Sequence, residues 1–197
     1  MSPRGRRPGG GDTRADIIEA ARDEFAEGGY DTTSLRAVAR RAGVDPSLVH
    51  HYFDGKPALF AAVLGAPADP SALIGQVISG PREDVGESLV RTFLTLWDSP
   101  EGQPRLMAIL RSAMTQETAR RMMREFLTRE VFGRIAREFA GEASPAEVEL
   151  RAGLAAGQMA GMALMRYVIE VPAVVQASQE DLVRCLGPTL QRYLVDD

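Results

Sequence analysis

The apolar positions of this chain recur every three or four residues, the period of an amphipathic helix, and hardly anywhere in the alternation of a strand. Ile17, Ala21 and Phe25 fall at i, i+4 and i+8 and predict a first helix from about Thr13 to Glu27. Asp12 or Thr13 can cap it, and Gly28-Gly29 ends it, since glycine tolerates the left-handed cap conformation. Leu35, Val38, Ala39 and Ala42 form the next stripe. A second, short helix is therefore expected, with Thr32 or Thr33 as its cap and Gly43 as its stop. Asp45-Pro46 puts a capping carboxylate before a proline at the first helical position, and a third helix follows over about Pro46 to Phe53. A fourth starts near Lys56 and fades at Gly65.

The segment from Gly65 to Pro70 reads as a linker. Beyond it, longer helices are expected near 71–79, 83–98, 104–114, 116–140, 144–170 and 178–194. Ser144 with Glu147 is a capping box, Ser178 with Asp181 a weaker one, and Gly187-Pro188 should kink the last helix. The fold class is thus all-α, with about nine or ten helices. A helix-turn-helix domain of three core helices occupies 12–64, and a larger helical bundle occupies 70–197. Residues 1–11, rich in Gly, Pro and Arg, cannot bury apolar area and are expected to form a disordered basic arm.

Composition narrows the function classes. The longest uncharged run, Ala152 to Met165, is 14 residues long. A membrane span needs about 20, so no membrane association is expected. No apolar stretch follows the N-terminal arginines, so a cytoplasmic protein is expected rather than a secreted one. The single cysteine, Cys185, excludes a disulfide framework and a Cys-rich zinc site. The only histidines, His50 and His51, are adjacent, which removes most metal centres and His-based catalytic triads. No cofactor is expected, and an enzyme would have only carboxylates to work with in the C-terminal half.

The two short helices, about 33–41 and 46–53 with Gly43 in the turn, have the spacing of a helix-turn-helix. Val38, Val44, Val49 and Phe53 can turn inward against Phe25 and Leu35. That leaves Pro46, Ser47, Leu48, His50, His51 and Tyr52 facing out, an odd set for a helix with only solvent beside it.

Residues 12–64 resemble the DNA-binding domain of the TetR family of transcriptional regulators. The likeness is carried by Phe25-Ala26-Glu27-Gly28-Gly29-Tyr30, Thr32-Thr33-Ser34-Leu35-Arg36, Val38-Ala39, Ala42-Gly43-Val44, Val49-His50-His51-Tyr52-Phe53, Lys56 and Leu59-Phe60. The sequence departs from the family pattern at His50, where Tyr is common, and at Gly55, where Ser or Asn caps the fourth helix. The resemblance implies that Ser47, Leu48 and His50 face bases from the recognition helix that Pro46 opens. Serine can donate or accept at a base edge, and leucine can pack on a thymine methyl. By the same likeness, Arg36 reaches a base or a phosphate, and Thr33, His51 and Tyr52 look like contacts to the DNA backbone that position the protein. Lys56, at the start of the fourth helix, matches the family's phosphate-binding lysine. The plainer reading of Arg36, Arg40 and Arg41 is a solvated face paired with Glu24 or Glu27. Arg4, Arg6 and Arg7 either enter a minor groove or form an idle tail.

Net charge is −4 over the chain, so a DNA-facing surface must be positive by arrangement. A single helix-turn-helix reads too few base pairs for one genomic site, and a homodimer on a palindromic operator solves that. By resemblance, helices 144–170 and 178–194 are the dimer surface. Gly153, Gly157 and Gly161 mark one stripe that allows close packing, either across that surface or within the subunit. The Met-rich interior of 83–170 suits either an ordinary core or a pocket for a largely apolar small-molecule effector. Candidate lining residues are Phe93, Trp97, Met107, Leu110, Met114, Phe126 and Met162, with Arg111 or Arg166 to orient a polar head. The expected function is a ligand-released, DNA-binding repressor. The rival is a helical small-molecule-binding or scaffold protein with a vestigial helix-turn-helix.

Overall fold

Helix follows helix along the computed structural model, which describes residues 12–67 and 69–195. The expected basic arm, 1–11, lies outside the described residues. The described residues up to Val63 form one compact unit and those from Leu64 onward form another.

In the first unit α1 spans Thr13–Thr32, α2 Leu35–Ala42, α3 Pro46–Tyr52 and α4 Gly55–Leu64. Asp12 caps α1, its carboxylate accepting from the Arg14 N–H at 3.0 Å. The expected end at Gly28-Gly29 is a break rather than a stop. Gly29 lies at φ 79°, ψ 178°, and one further turn carries the helix to Thr32. The cap of α2 is Ser34, which accepts from the Ala37 N–H at 3.1 Å, and not Thr32 or Thr33. The threonines are committed elsewhere: the Thr32 hydroxyl donates to the Gly28 carbonyl and that of Thr33 to the carbonyls of Glu24 and Gly29. Gly43, at φ 65°, closes α2 in the left-handed region, as its place after the apolar stripe predicts.

The core of this unit is aromatic. Phe25 packs edge-on to Phe60 at 4.6 Å between centroids, and Tyr30 does so at 4.9 Å. Ile17, Val38, Val49 and Phe53 are buried around them. Each side chain of this size contributes about 1.5–3 kcal/mol by leaving water. The inward set therefore fixes the angle at which α3 leaves the domain.

The second unit holds α5 (Pro70–Ser79), α6 (Val85–Trp97), α7 (Gly102–Thr115), α8 (Glu117–Glu125), α9 (Phe132–Glu138), α10 (Pro145–Ala163), α11 (Pro172–Gln176) and α12 (Gln179–Leu194). The helix expected over 116–140 is α8 and α9 joined by a π-helical turn, Phe126–Val131. Gly133 permits that turn, because a Cβ there would meet the Thr128 carbonyl. The Arg137 guanidinium donates to the Arg129 carbonyl within it at 2.6 Å. The helix expected over 144–170 likewise ends in a π turn, Leu164–Val168, and α11 is an additional short helix. Ser144 and Ser178 cap α10 and α12 as their spacing predicts. The helix α12 runs from Gln179 to Leu194 with Pro188 inside it. It is held along α6, where Gly86 and Gly187 let the two backbones touch, and the Gly86 N–H donates to Gln191 Oε1 at 2.9 Å.

Candidate nucleic-acid interface

The third helix owes its direction to one inward residue and two ends. Val49 is fully buried, and Phe53, the C-cap, is buried beside it. At the other end Asp45 accepts from the Ser47 N–H at 2.8 Å and from the Ser47 hydroxyl at 2.6 Å. These bonds, the hydroxyl first, hold the Asp45 carboxyl below the usual aspartate range, so it stays ionised at neutral pH. With those anchors set, Pro46, Ser47, Leu48, His50, His51 and Tyr52 all stand exposed. Leu48 and Tyr52 are 37% and 40% exposed, large apolar surfaces on a helix of 7 residues. His51 packs edge-on to Tyr52 at 5.1 Å.

Flanking groups extend this face. Lys56, at the start of α4, places Nζ 4.4 Å from the Tyr30 ring centroid and donates to the Asp31 carbonyl at 3.1 Å. The ring and the carbonyl hold the ammonium in place, a cation–π contact contributing about 0.5–1 kcal/mol at an accessible site. Gly55 precedes it at φ 82°, a left-handed conformation that suits the glycine found where a Ser or Asn cap was expected. Arg36 and Arg40 are exposed on α2. Arg41 has the fate of the solvated-face reading: it meets Glu24 at 2.9 Å, Glu27 at 2.6 Å and Asp23 at 3.9 Å.

Thr33 is set apart from this exposed face by its burial. It is 5% exposed and its hydroxyl faces the Glu24 and Gly29 carbonyls of α1, so its side chain is turned onto the end of α1 and away from the exposed face. Asp45 and Tyr30 were not singled out as interface residues. Asp45 was legible only as a helix cap, and Tyr30 only as part of the Gly-Gly-Tyr motif.

Two family models match the chain. One, described as "Bacterial regulatory proteins, tetR family", matches residues 17–63. The other, described as "Tetracyclin repressor-like, C-terminal domain", matches residues 83–194, more than half of the chain. The chain belongs to the TetR family. Its relatives include the HTH-type transcriptional regulator BetI of Rhizobium meliloti, 29% identical over 114 residues and 56% of each chain. The chain thus spans little more than half the length of that relative. BetI of Burkholderia thailandensis is 26% identical over 162 residues, 73% of this chain and 76% of the relative. A solved TetR-family regulator from Streptomyces coelicolor is 34% identical, with 97% of this chain and 99% of that one covered and a TM-score of 0.45.

The expected effector residues of this TetR-family chain divide. Phe93 and Trp97 lie 5.8 Å apart, and Trp97 stacks on Tyr167 at 4.8 Å. Burial, followed by the hydrogen bond to Asp98, pushes the Tyr167 phenol upward, so it remains a proton donor. Met107, Leu110 and Phe126 are half-buried. Met162 instead lines a groove of about 550 Å³ on α10 and α12, with Gly153, Gly157, Gly161, Cys185 and Leu186. Three further candidates stand apart from these. Met114 is 69% exposed and Arg111 is exposed, because both fall on the outer side of α7. Arg166 is engaged by the carbonyls of Val174, Val175 and Ala177, where the chain doubles back through α11. Among the described residues no helix is long and apolar enough to cross a membrane.

Proposed function

We propose that this chain is a cytoplasmic, homodimeric repressor that binds a palindromic operator and is released by a largely apolar small molecule, without catalysis. The observation that carries the reading is the outward face of α3. A helix held by Val49 and Phe53 leaves Leu48, His50, His51 and Tyr52 together at the surface, a face of mixed apolar and polar groups that a second surface can cover. A DNA major groove accepts such a helix. Lys56 and Arg36 then meet phosphate or guanine beside it.

The dimer supplies the second α3. The groove on α10 and α12 supports this. A Cβ on Gly153, Gly157 or Gly161 would meet nothing within 4 Å, so the stripe does not serve packing inside the subunit. Leu150 and Leu154, 61% and 44% exposed, stand on the same helix. The effector acts by preferring the conformation in which the two copies of α3 are wrongly spaced, since equal affinity for both states would shift nothing.

Electrophoretic shift on the DNA upstream of the chain's own gene tests the reading. Tyr52→Ala with Lys56→Ala should weaken the complex by about 1–3 kcal/mol or more, roughly 5- to 100-fold. An unchanged shift by the double variant refutes the interface. Absence of any shift by the parent chain favours the scaffold with a vestigial helix-turn-helix.

A further inference from the structure

We infer that Ser47 reads DNA only as a hydrogen-bond acceptor, so that the operator carries adenine or cytosine at the position it faces. This rests on α3 being the recognition helix. A serine hydroxyl owns one proton and two lone-pair sites and in general serves bases of either polarity. Here the proton is committed, because Oγ donates to Asp45 Oδ1 at 2.6 Å. Bonds to an ionised carboxylate are roughly twice as strong as neutral ones. A neutral base carbonyl or ring nitrogen therefore competes poorly for that proton.

The neighbouring donors are spent as well. The Ser47 N–H serves the same carboxylate oxygen, the Leu48 N–H donates to the Asp45 carbonyl at 2.9 Å, and Pro46 has no N–H. Outward, Ser47 and the exposed Asp45 show lone pairs alone. In the major groove lone pairs find donors on the exocyclic amines, adenine N6 and cytosine N4, and are opposed by guanine O6 and thymine O4. The carboxylate also disfavours close approach of phosphate and favours a place over the base edges. The recognition helix thus separates amine from keto bases on one strand, a distinction that a serine with a free proton does not make.

Selection of bound DNA from a random pool tests this, with the full chain as wild type, Ser47→Ala and Ser47→Thr. In wild-type sites one position per half-site should hold adenine or cytosine on the same strand. Exchange for guanine or thymine there should weaken binding roughly fivefold or more. Ser47→Ala should make that position indifferent and leave the others intact, and Ser47→Thr, which restores the hydroxyl, should keep the preference. Guanine or thymine at the Ser47-dependent position overturns the inference, as does a site that Ser47→Ala leaves unchanged throughout. In either case a selected palindrome would leave the recognition-helix reading standing. A wild-type chain that selects no sequence overturns both.

Discussion

Two sets of glycines in the C-terminal unit have opposite surroundings. At the crossing of α6 and α12, a Cβ on Gly86 would lie 2.2 Å from the Gly187 carbonyl oxygen and 2.6 Å from the Gln191 nitrogen. Gly153, Gly157 and Gly161 on α10 face open space. The first set is explained by the protomer itself. The second is not, and glycine inside a helix costs about 1 kcal/mol relative to alanine. A cost without an internal return points to a return outside the subunit. The first unit holds a similar contrast in arginines. Arg41 is engaged by three acids, while Arg36 stands exposed on the same helix.

The largest effect should come from closing the tight crossing. Gly86→Ala forces a Cβ against backbone that no rotamer change can move, and should cost about 3 kcal/mol in denaturant unfolding. A variant as stable as the parent would show that the crossing is looser than described. Gly157→Leu should separate folding from assembly. The protomer has room for the side chain, so its unfolding should be preserved, while the dimer dissociation constant measured by sedimentation should rise at least about tenfold, or about 1.4 kcal/mol. Unchanged association would place the dimer surface elsewhere.

The smallest effect concerns Arg41. Its hydrogen bond, ahead of its charge, lowers the Glu27 carboxyl below the ordinary value of 4.5. A lowered folded pKa stabilises the protein above the unfolded value, and that contribution disappears as pH falls through the folded one. Arg41→Ala should therefore flatten the acid limb of the melting temperature below about pH 4.5 and barely alter it at neutral pH, because the cluster is exposed. An acid limb identical to that of the parent would remove the cluster from the stability of the domain.

What the sequence disclosed depended on how local the cause was. Asp45-Pro46 and the spacing of Val49 and Phe53 sit within one short segment, and they place α3 almost to the residue. The partners of Thr33 are also near in the chain, yet its hydroxyl reaches a carbonyl that becomes available only because Gly29 breaks α1. Arg166 is harder still, since its partners lie beyond a reversal of the chain that no periodicity announces. The π turns at Phe126–Val131 and Leu164–Val168 insert a residue's worth of rotation into stretches whose composition reads as ordinary helix. Among the candidate effector residues only Phe126 and Arg166 fall in these turns; Met114 and Arg111 lie on α7, where Met-rich composition does not tell which side of the helix faces inward. The α3 surface was legible because its anomaly, apolar and aromatic side chains with nowhere inward to go, appears in the order of the residues.

Trp97 carries a consequence of its own. It is the chain's sole tryptophan, and it lies face to face with Tyr167, ring planes 14° apart, in the C-terminal unit. Its fluorescence therefore originates entirely outside the helix-turn-helix. Any rearrangement that unstacks it from Tyr167 changes its emission, so tryptophan emission, excited apart from the tyrosines, reports on the C-terminal unit alone.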